Sequence, residues 1–403
     1  MKDNRYIFNI GVFFGIFYIC VTLLFPFIFY IGKIYSIDFL NEVRYSLYYY
    51  NGVSLITSSL IFYSIIGFLF FIIGYFLFSR YLFKFQTKNK VKEFISSSWT
   101  FENMYYSFWL MLIVVTLHKF YGIYTLRYDL PYFYLSVIGN EKIAYFFSFN
   151  ILSFILLFII SFSYFKAKSE ENIKWEKKLK YLFYFTFIIM FIMSLNLKSR
   201  YLTIEILFIV LMVYNMFNKI NIIKFIISIF ILLTLIIALK PLIYEYRGIS
   251  GTLTFDMKAS TDRIVSRVNQ SHVLSQLFNY KHDVVNYNED LATKINVMDY
   301  NNNSGVGMTM LGYFFYEYKL LGVIFGMFSV GIIYRILYEL FLRKYMVFVL
   351  TYVLIFPFLI NVFEQQIFQA IDKIFYYLFL AFFIHILIMK GGGIDIVKKI
   401  VNK

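Results

Sequence analysis

Apolar runs of 18 or more residues recur along this chain, and nothing constrains its fold more. A run of that length is what an α-helix needs to cross about 30 Å of hydrocarbon. Only 15% of the 403 residues are charged and 61% are hydrophobic, against about 25% charged in a soluble domain. With a mean hydropathy of +0.70, the chain reads as an all-α polytopic membrane protein. It forms one integral membrane domain over 1–403, although its length alone would suggest several soluble domains. The runs predict about ten transmembrane helices: 6–31, 52–79, 103–122, 143–165, 181–197, 201–218, 221–240, 319–341, 345–362 and 374–390. The first run is too long for a signal-peptide core and is expected to be retained.

The net charge of +15 invites a nucleic-acid reading. Cations beside membrane spans set orientation instead, so no nucleic-acid partner is expected. With the N-terminus inside and the spans alternating, the inside gathers Arg80, Lys84, Lys88, Lys90 and Lys92, the basic run 166–180, Arg335, Arg343 and the C-terminal lysines. Both termini are therefore expected in the cytoplasm, with one large outer loop and re-entry segment at 241–318. The single cysteine, Cys20, excludes an intramolecular disulfide and a cysteine metal site. Aromatics, 23% of the chain, read as lipid-facing filler and interface anchors.

The stretch SLNLKSRYLTIE breaks the pattern. From 181 to 218 only Lys198, Arg200 and Glu205 carry full charge. One straight helix over that segment would be roughly 57 Å long and would send every later basic turn outside. The chain must therefore reverse near Leu197–Arg200, at the outer face.

That face collects Lys198, Arg200, Arg247, Arg263, Arg267, His272, His282 and Glu317. Several arginines facing one site suit bidentate binding of phosphate or carboxylate. At headgroup depth they would fit a lipid-linked phosphate or pyrophosphate. Arg263 and Arg267 are four apart and share a helix face. His272, about 140° further round, is the best general-base candidate because imidazole titrates near neutral pH. His282, beside Asp283, is the reserve. The simpler readings are a snorkelling Arg200, a Glu205 that only neutralises Arg200 or Lys198, and solvated loop arginines. His118 and His385, at span ends, look structural. NNNSG at 301–305 reads as a turn, and 305–318 as a short helix lying at the interface before the next span. No ligand-spaced His, Asp or Glu motif and no nucleotide cradle occurs, so no metal or cofactor is expected.

The arrangement resembles the O-antigen and capsule repeat-unit polymerases of the Wzy type. The likeness rests on Ser199-Arg200 at an outer turn, on the arginine-bearing YEYRGIS and STDRIVSRVNQSH, and on GYFFYEYKLLGVIFGMFSVG. The resemblance implies a metal-independent glycosyltransferase, related to the O-antigen ligases, in a bacterial cytoplasmic (inner) membrane. Its donor and acceptor would be undecaprenyl-pyrophosphate-linked glycans, with a chain-length regulator and a flippase as further partners. On that likeness Arg200, Arg247 and Arg263 or Arg267 would hold the pyrophosphate and steady the leaving group. His272 or Glu317 would take the acceptor proton. One alternative is a lipid-linked oligosaccharide flippase, which should show discontinuous helices and charges buried in mid-membrane; here the span middles read as nearly uncharged. Another is a membrane O-acyltransferase, which would need a histidine on the inner side, where the loops have none.

Overall fold

A computed structural model describes residues 8–24, 27, 58–83, 99–125, 151–196, 200–218, 220, 310–342, 346–361 and 367–390. Among them the fold is all-helical: α1 (Ile10–Ile19), α2 (Ser58–Phe83), α3 (Phe101–Thr125), α4 (Ile151–Ser169), α5 (Ile173–Asn196), α6 (Arg200–Phe217), α7 (Met310–Leu342), α8 (Met346–Asn361) and α9 (Ile367–Lys390). A π-helical turn, Cys20–Leu24, extends α1. Three stretches, Ser58–Leu77, Leu152–Ser169 and Tyr318–Leu342, are long and apolar enough to cross a membrane. The expected span 221–240 lies outside the described residues.

Local sequence sets the helix starts. Asn9 caps α1, its Oδ1 accepting from the Gly11 and Val12 amides at 2.9 and 3.3 Å. Thr100 caps α3 through Asn103 N at 3.2 Å, with Glu102 in the first turn. Asn172 caps α5 through Trp175 N at 3.3 Å, with Glu176 in its first turn. These are oxygen acceptors for orphan amides, and the acids complement the helix dipole. The α4–α5 turn closes as Asn172 N donates to Ala167 O at 2.9 Å. Glu171 takes φ 55° there, a place where glycine is the usual choice.

Interhelical bonds fix how the helices alternate. At one end, the foot, the head of α1 meets the tails of α2 and α7 and the first turns of α8. Tyr75 Oη donates to Asn9 Oδ1 at 2.6 Å, and Tyr352 Oη donates to Phe8 O at 2.8 Å. The foot also joins the start of α3 to the tails of α4 and α9, where Trp99 Nε1 donates to His385 Nδ1 at 3.2 Å and Lys166 Nζ to Trp99 O at 2.8 Å. At the opposite end, the head, Ser194 near the end of α5 shares a hydrogen bond of 2.9 Å with Thr203 at the start of α6. The reversal expected from SLNLKSR is therefore present: α5 stops at Asn196 and α6 begins at Arg200.

Helices α2 and α7 cross backbone to backbone. A Cβ on Gly74 would collide with the Phe328 carbonyl oxygen, and one on Gly331 with that of Phe71. Aromatic rings fill the space beside the crossing, with Phe14 4.8 Å from Phe71 and 5.1 Å from Tyr334 between ring centroids.

Helix α7 is not one rod. Tyr318 (φ −134°, ψ 17°) and Lys319 (φ 53°, ψ −134°) break it. Leu311 and Met327, 16 residues apart, would be about 24 Å apart on a continuous helix. Instead both touch one point on α2: a Cβ on Gly67 would sit 2.9 Å from Leu311 Cδ1 and 3.4 Å from Met327 Cγ. The leg 310–317 thus folds back antiparallel on the rest of α7. Tyr63 meets Phe315 edge to face at 4.6 Å between centroids, so the leg dips alongside α2 from the head. Gly67 lies nine residues, about 13 Å, below Ser58, and Leu311 reaches that level. The expected interfacial helix is corrected to a re-entrant leg, because Leu311, Phe315 and Tyr316 are buried and hold it inside the bundle.

Candidate functional site

The head of the bundle holds those expected site residues that the structure describes. Arg200 is the first residue of α6, at the reversal. Glu205, one and a half turns further, is only 4% exposed. It stands about 140° round the helix from Arg200, turned into the bundle, and Tyr377 of α9 lies close enough for its charge to act on the phenol. Ser194 and Thr203, both buried, close the hairpin just above. Glu317 is the last residue of the fold-back leg before the break. The structure therefore brings Arg200, Glu205 and Glu317 to one end, the first two on the α5–α6–α9 side and Glu317 on the α2–α7 side. Lys198, Arg247, Arg263, Arg267 and His272 lie outside the described residues, as does most of 241–318.

Chemically, the start of α6 is suited to an anion. The first amides of a helix have no intrahelical acceptor, and the macrodipole is positive there. Arg200 is the residue at that first position. Glu205 sits below with its carboxylate shielded from solvent, where it can balance charge above it or hold a hydrogen-bond partner in one orientation. Among the described residues no group of three or more His, Cys, Asp or Glu side chains could hold a metal ion.

A second polar centre, at the foot, escaped the sequence reading. Arg335 and Glu339 are 8% and 3% exposed, and Arg335 Nη2 donates to Glu339 Oε1. The Arg335 guanidinium also lies 5.2 Å from the Tyr75 ring centroid and 6.0 Å from that of Tyr338. Tyr75 reaches on to Asn9. Arg335 is about 10 Å from the end of α7. Counting it among the loop cations was therefore wrong; the pair lies in the last third of the apolar stretch Tyr318–Leu342 rather than at its middle. An Arg and a Glu four apart in the apolar YRILYEL share a helix face, which was the available signal. Lys166, also counted as a loop cation, is buried as well; its ammonium caps Trp99 O and lies 5.2 Å from the Phe101 ring centroid. His385 accepts from Trp99 in an interhelical bond, in keeping with a structural histidine.

No protein-family model, no curated protein and no solved structure matches this chain.

Proposed function

We propose that this chain is a metal-independent membrane glycosyltransferase of the repeat-unit polymerase type. It would span a bacterial cytoplasmic membrane about ten times, with both termini inside. It would join undecaprenyl-pyrophosphate-linked oligosaccharides on the outer face, which is the head of the bundle. The observation that carries this reading is the tight α5–α6 reversal, with Arg200 as the first residue of α6 above a buried Glu205. A cationic residue and a helix N-terminus coincide there, and at headgroup depth they would suit a lipid-linked pyrophosphate. Arg200, with Arg247, Arg263, Arg267 and Lys198 from the outer loop, would grip the donor pyrophosphate and stabilise the departing charge. His272 or Glu317 would accept the proton of the attacking sugar hydroxyl.

The test is deletion of the gene, with surface polysaccharide resolved on a gel. A band of single repeats is expected. An Arg200→Ala protein at normal abundance should reproduce that band; persistent long chains would remove Arg200 from the chemistry. A reporter active only outside the cytoplasm should stay silent on either terminus, and a signal would overturn the orientation.

A second reading, a lipid-linked oligosaccharide flippase, is favoured by two observations: the buried Arg335–Glu339 pair and the break in α7. Buried intramembrane charge and discontinuous helices are marks of transporters. On this reading the deletion strain loses surface repeats of every length. An unchanged ladder with altered serology would point instead to an O-acyltransferase.

A further inference from the structure

One face of α5 stays open from its first turn to Ile192. Lys174, Lys178, Tyr181, Phe185, Ile188 and Ile192 are all exposed. Their alternating spacing of four and three residues keeps them within about 40° of one line along the helix. This seam changes chemistry once. Tyr181 and Phe185, 76% and 65% exposed, and the two isoleucines above them are apolar, whereas the two residues nearest the foot are lysines. From 181 to 192 the seam is about 16 Å long, roughly half of the 30 Å of a hydrocarbon core. The apolar part thus matches one leaflet, and the lysines fall where the headgroups of that leaflet lie. The first turns of α5 are built for this level. Trp175 lies 6.1 Å from Phe101, nearly parallel, and 5.8 Å from Tyr105 between ring centroids. Lys178 Nζ stands 3.9 Å from the Tyr105 centroid and 5.1 Å from that of Trp175. Trp and Tyr rings gather at the membrane–water boundary, and a ring face takes one side of an ammonium while leaving N–H donors for an outside acceptor. The acids nearby do not cancel the seam. Glu176 stands about 160° round the helix from Lys174 and acts on Tyr164 of α4. Glu170 and Glu171 precede α5, in the turn. Over 166–180 six lysines stand against three glutamates, so the segment is net basic.

We propose that the seam binds an anionic phospholipid of the leaflet at the foot, with its phosphate on Lys174 and Lys178 and one acyl chain along 181–192. Lys177, about 60° to one side, is the flanking cation. A zwitterionic phospholipid fits the apolar part equally well, but its amine meets the lysines with like charge, so the seam selects for net negative charge. The proposal rests on the membrane location of the bundle alone, and it stands whether or not the protein transfers sugars.

The test is a lipid titration of the full-length chain in detergent, read by native mass spectrometry, with phosphatidylglycerol and phosphatidylcholine as the two probes. The parent should bind phosphatidylglycerol more tightly. Attraction of a lysine to anionic lipid is worth about fivefold, so Lys174→Gln/Lys178→Gln should weaken phosphatidylglycerol about 25-fold and leave phosphatidylcholine unchanged. Lys174→Arg/Lys178→Arg keeps both charges and the ring contacts and should bind as the parent does. Lys398→Gln/Lys399→Gln removes the same charge elsewhere in the chain and should also bind as the parent does. A diazirine-acyl phosphatidylglycerol should label 181–192 in the parent and lose that label in the double Gln variant. Equal affinity for the two lipids overturns the proposal, and so does an equal loss in the Lys398/Lys399 variant, which would make net charge the cause. Labelling that avoids 181–192 overturns it as well. No glycan is read, so failure here leaves the glycosyl-transfer reading to its own test.

Discussion

Removing one member of the Arg335–Glu339 pair should cost far more than removing both. Glu339 is buried and accepts from Arg335, whose guanidinium is flanked by the Tyr75 and Tyr338 rings. With charge centres about 4 Å apart and an effective dielectric near 20, the Coulomb attraction is about 4 kcal/mol. That is within the range of about 3–5 kcal/mol for leaving one buried charge unbalanced. Glu339→Gln keeps the shape and deletes the charge, so it should destabilise by about 3–5 kcal/mol. Arg335→Met/Glu339→Leu removes both charges at similar volume and should lie within about 2 kcal/mol of the parent, since well-packed apolar replacements of buried pairs are commonly near neutral. The Tyr75 and Tyr338 ring contacts, each worth about 0.5–2 kcal/mol, set the residual loss. Reversible unfolding in mixed micelles, read as a double-mutant cycle, gives the coupling. A Glu339→Gln protein within about 1 kcal/mol of the parent would falsify the reasoning, because Arg335 would then be reaching water. A double variant no more stable than the single one would do the same. If the double variant folds normally but surface glycan is lost, the pair serves function as well as folding, which moves weight to the flippase reading.

Glu171→Gly should stabilise the α4–α5 hairpin by about 1 kcal/mol, measured as a higher midpoint, because the φ of 55° there costs glycine nothing. Gly74→Ala should destabilise by about 3 kcal/mol or lower the yield of folded protein, since its Cβ meets the Phe328 carbonyl and neither backbone can yield; a melt unchanged from the parent would mean that the crossing is looser than described. Trp99→Phe keeps the ring packing on Phe162 but deletes the donor to His385. It should cost about 1 kcal/mol in the same assay.

Helix positions were legible where an apolar run follows a polar cap, as at Asn9 and Thr100; α5 begins at Ile173, eight residues before the expected 181, because IKWEKKLK is charged yet helix-compatible. The α5–α6 reversal followed from length and loop parity: two helices of ordinary span fit between 181 and 218, and one does not. The fold-back of α7 was only half legible. The boundary near Tyr318 showed as a change from a short interfacial helix to a full span, but YEYKLL is helix-compatible throughout. The direction of the leg depends on Gly67, Gly322 and Gly326 accepting side chains that are distant in sequence. The foot network was missed for a related reason. Counting Lys and Arg by loop assigns each cation a side of the membrane, and says nothing of Arg335 or Lys166 turning inward to meet Glu339 and Trp99.

That distinction sharpens what the head of the bundle means. At the foot, buried cations are met by protein partners: Arg335 by Glu339 and two tyrosine rings, Lys166 by a carbonyl and a ring. These contacts tie α2 to α7 and the start of α3 to α4, and are accounted for by folding. The polar residues at the head sit differently. Glu205 is buried in the first turns of the helix that Arg200 opens, beside the Ser194–Thr203 bond that already secures the hairpin. A buried carboxylate is expensive to keep unless it supports the fold or serves the chemistry. Glu205→Gln separates the two roles. If Glu205 only supports the turn, protein abundance and polymer length should fall together. If it orients the donor grip around Arg200, abundance should hold while polymer is lost.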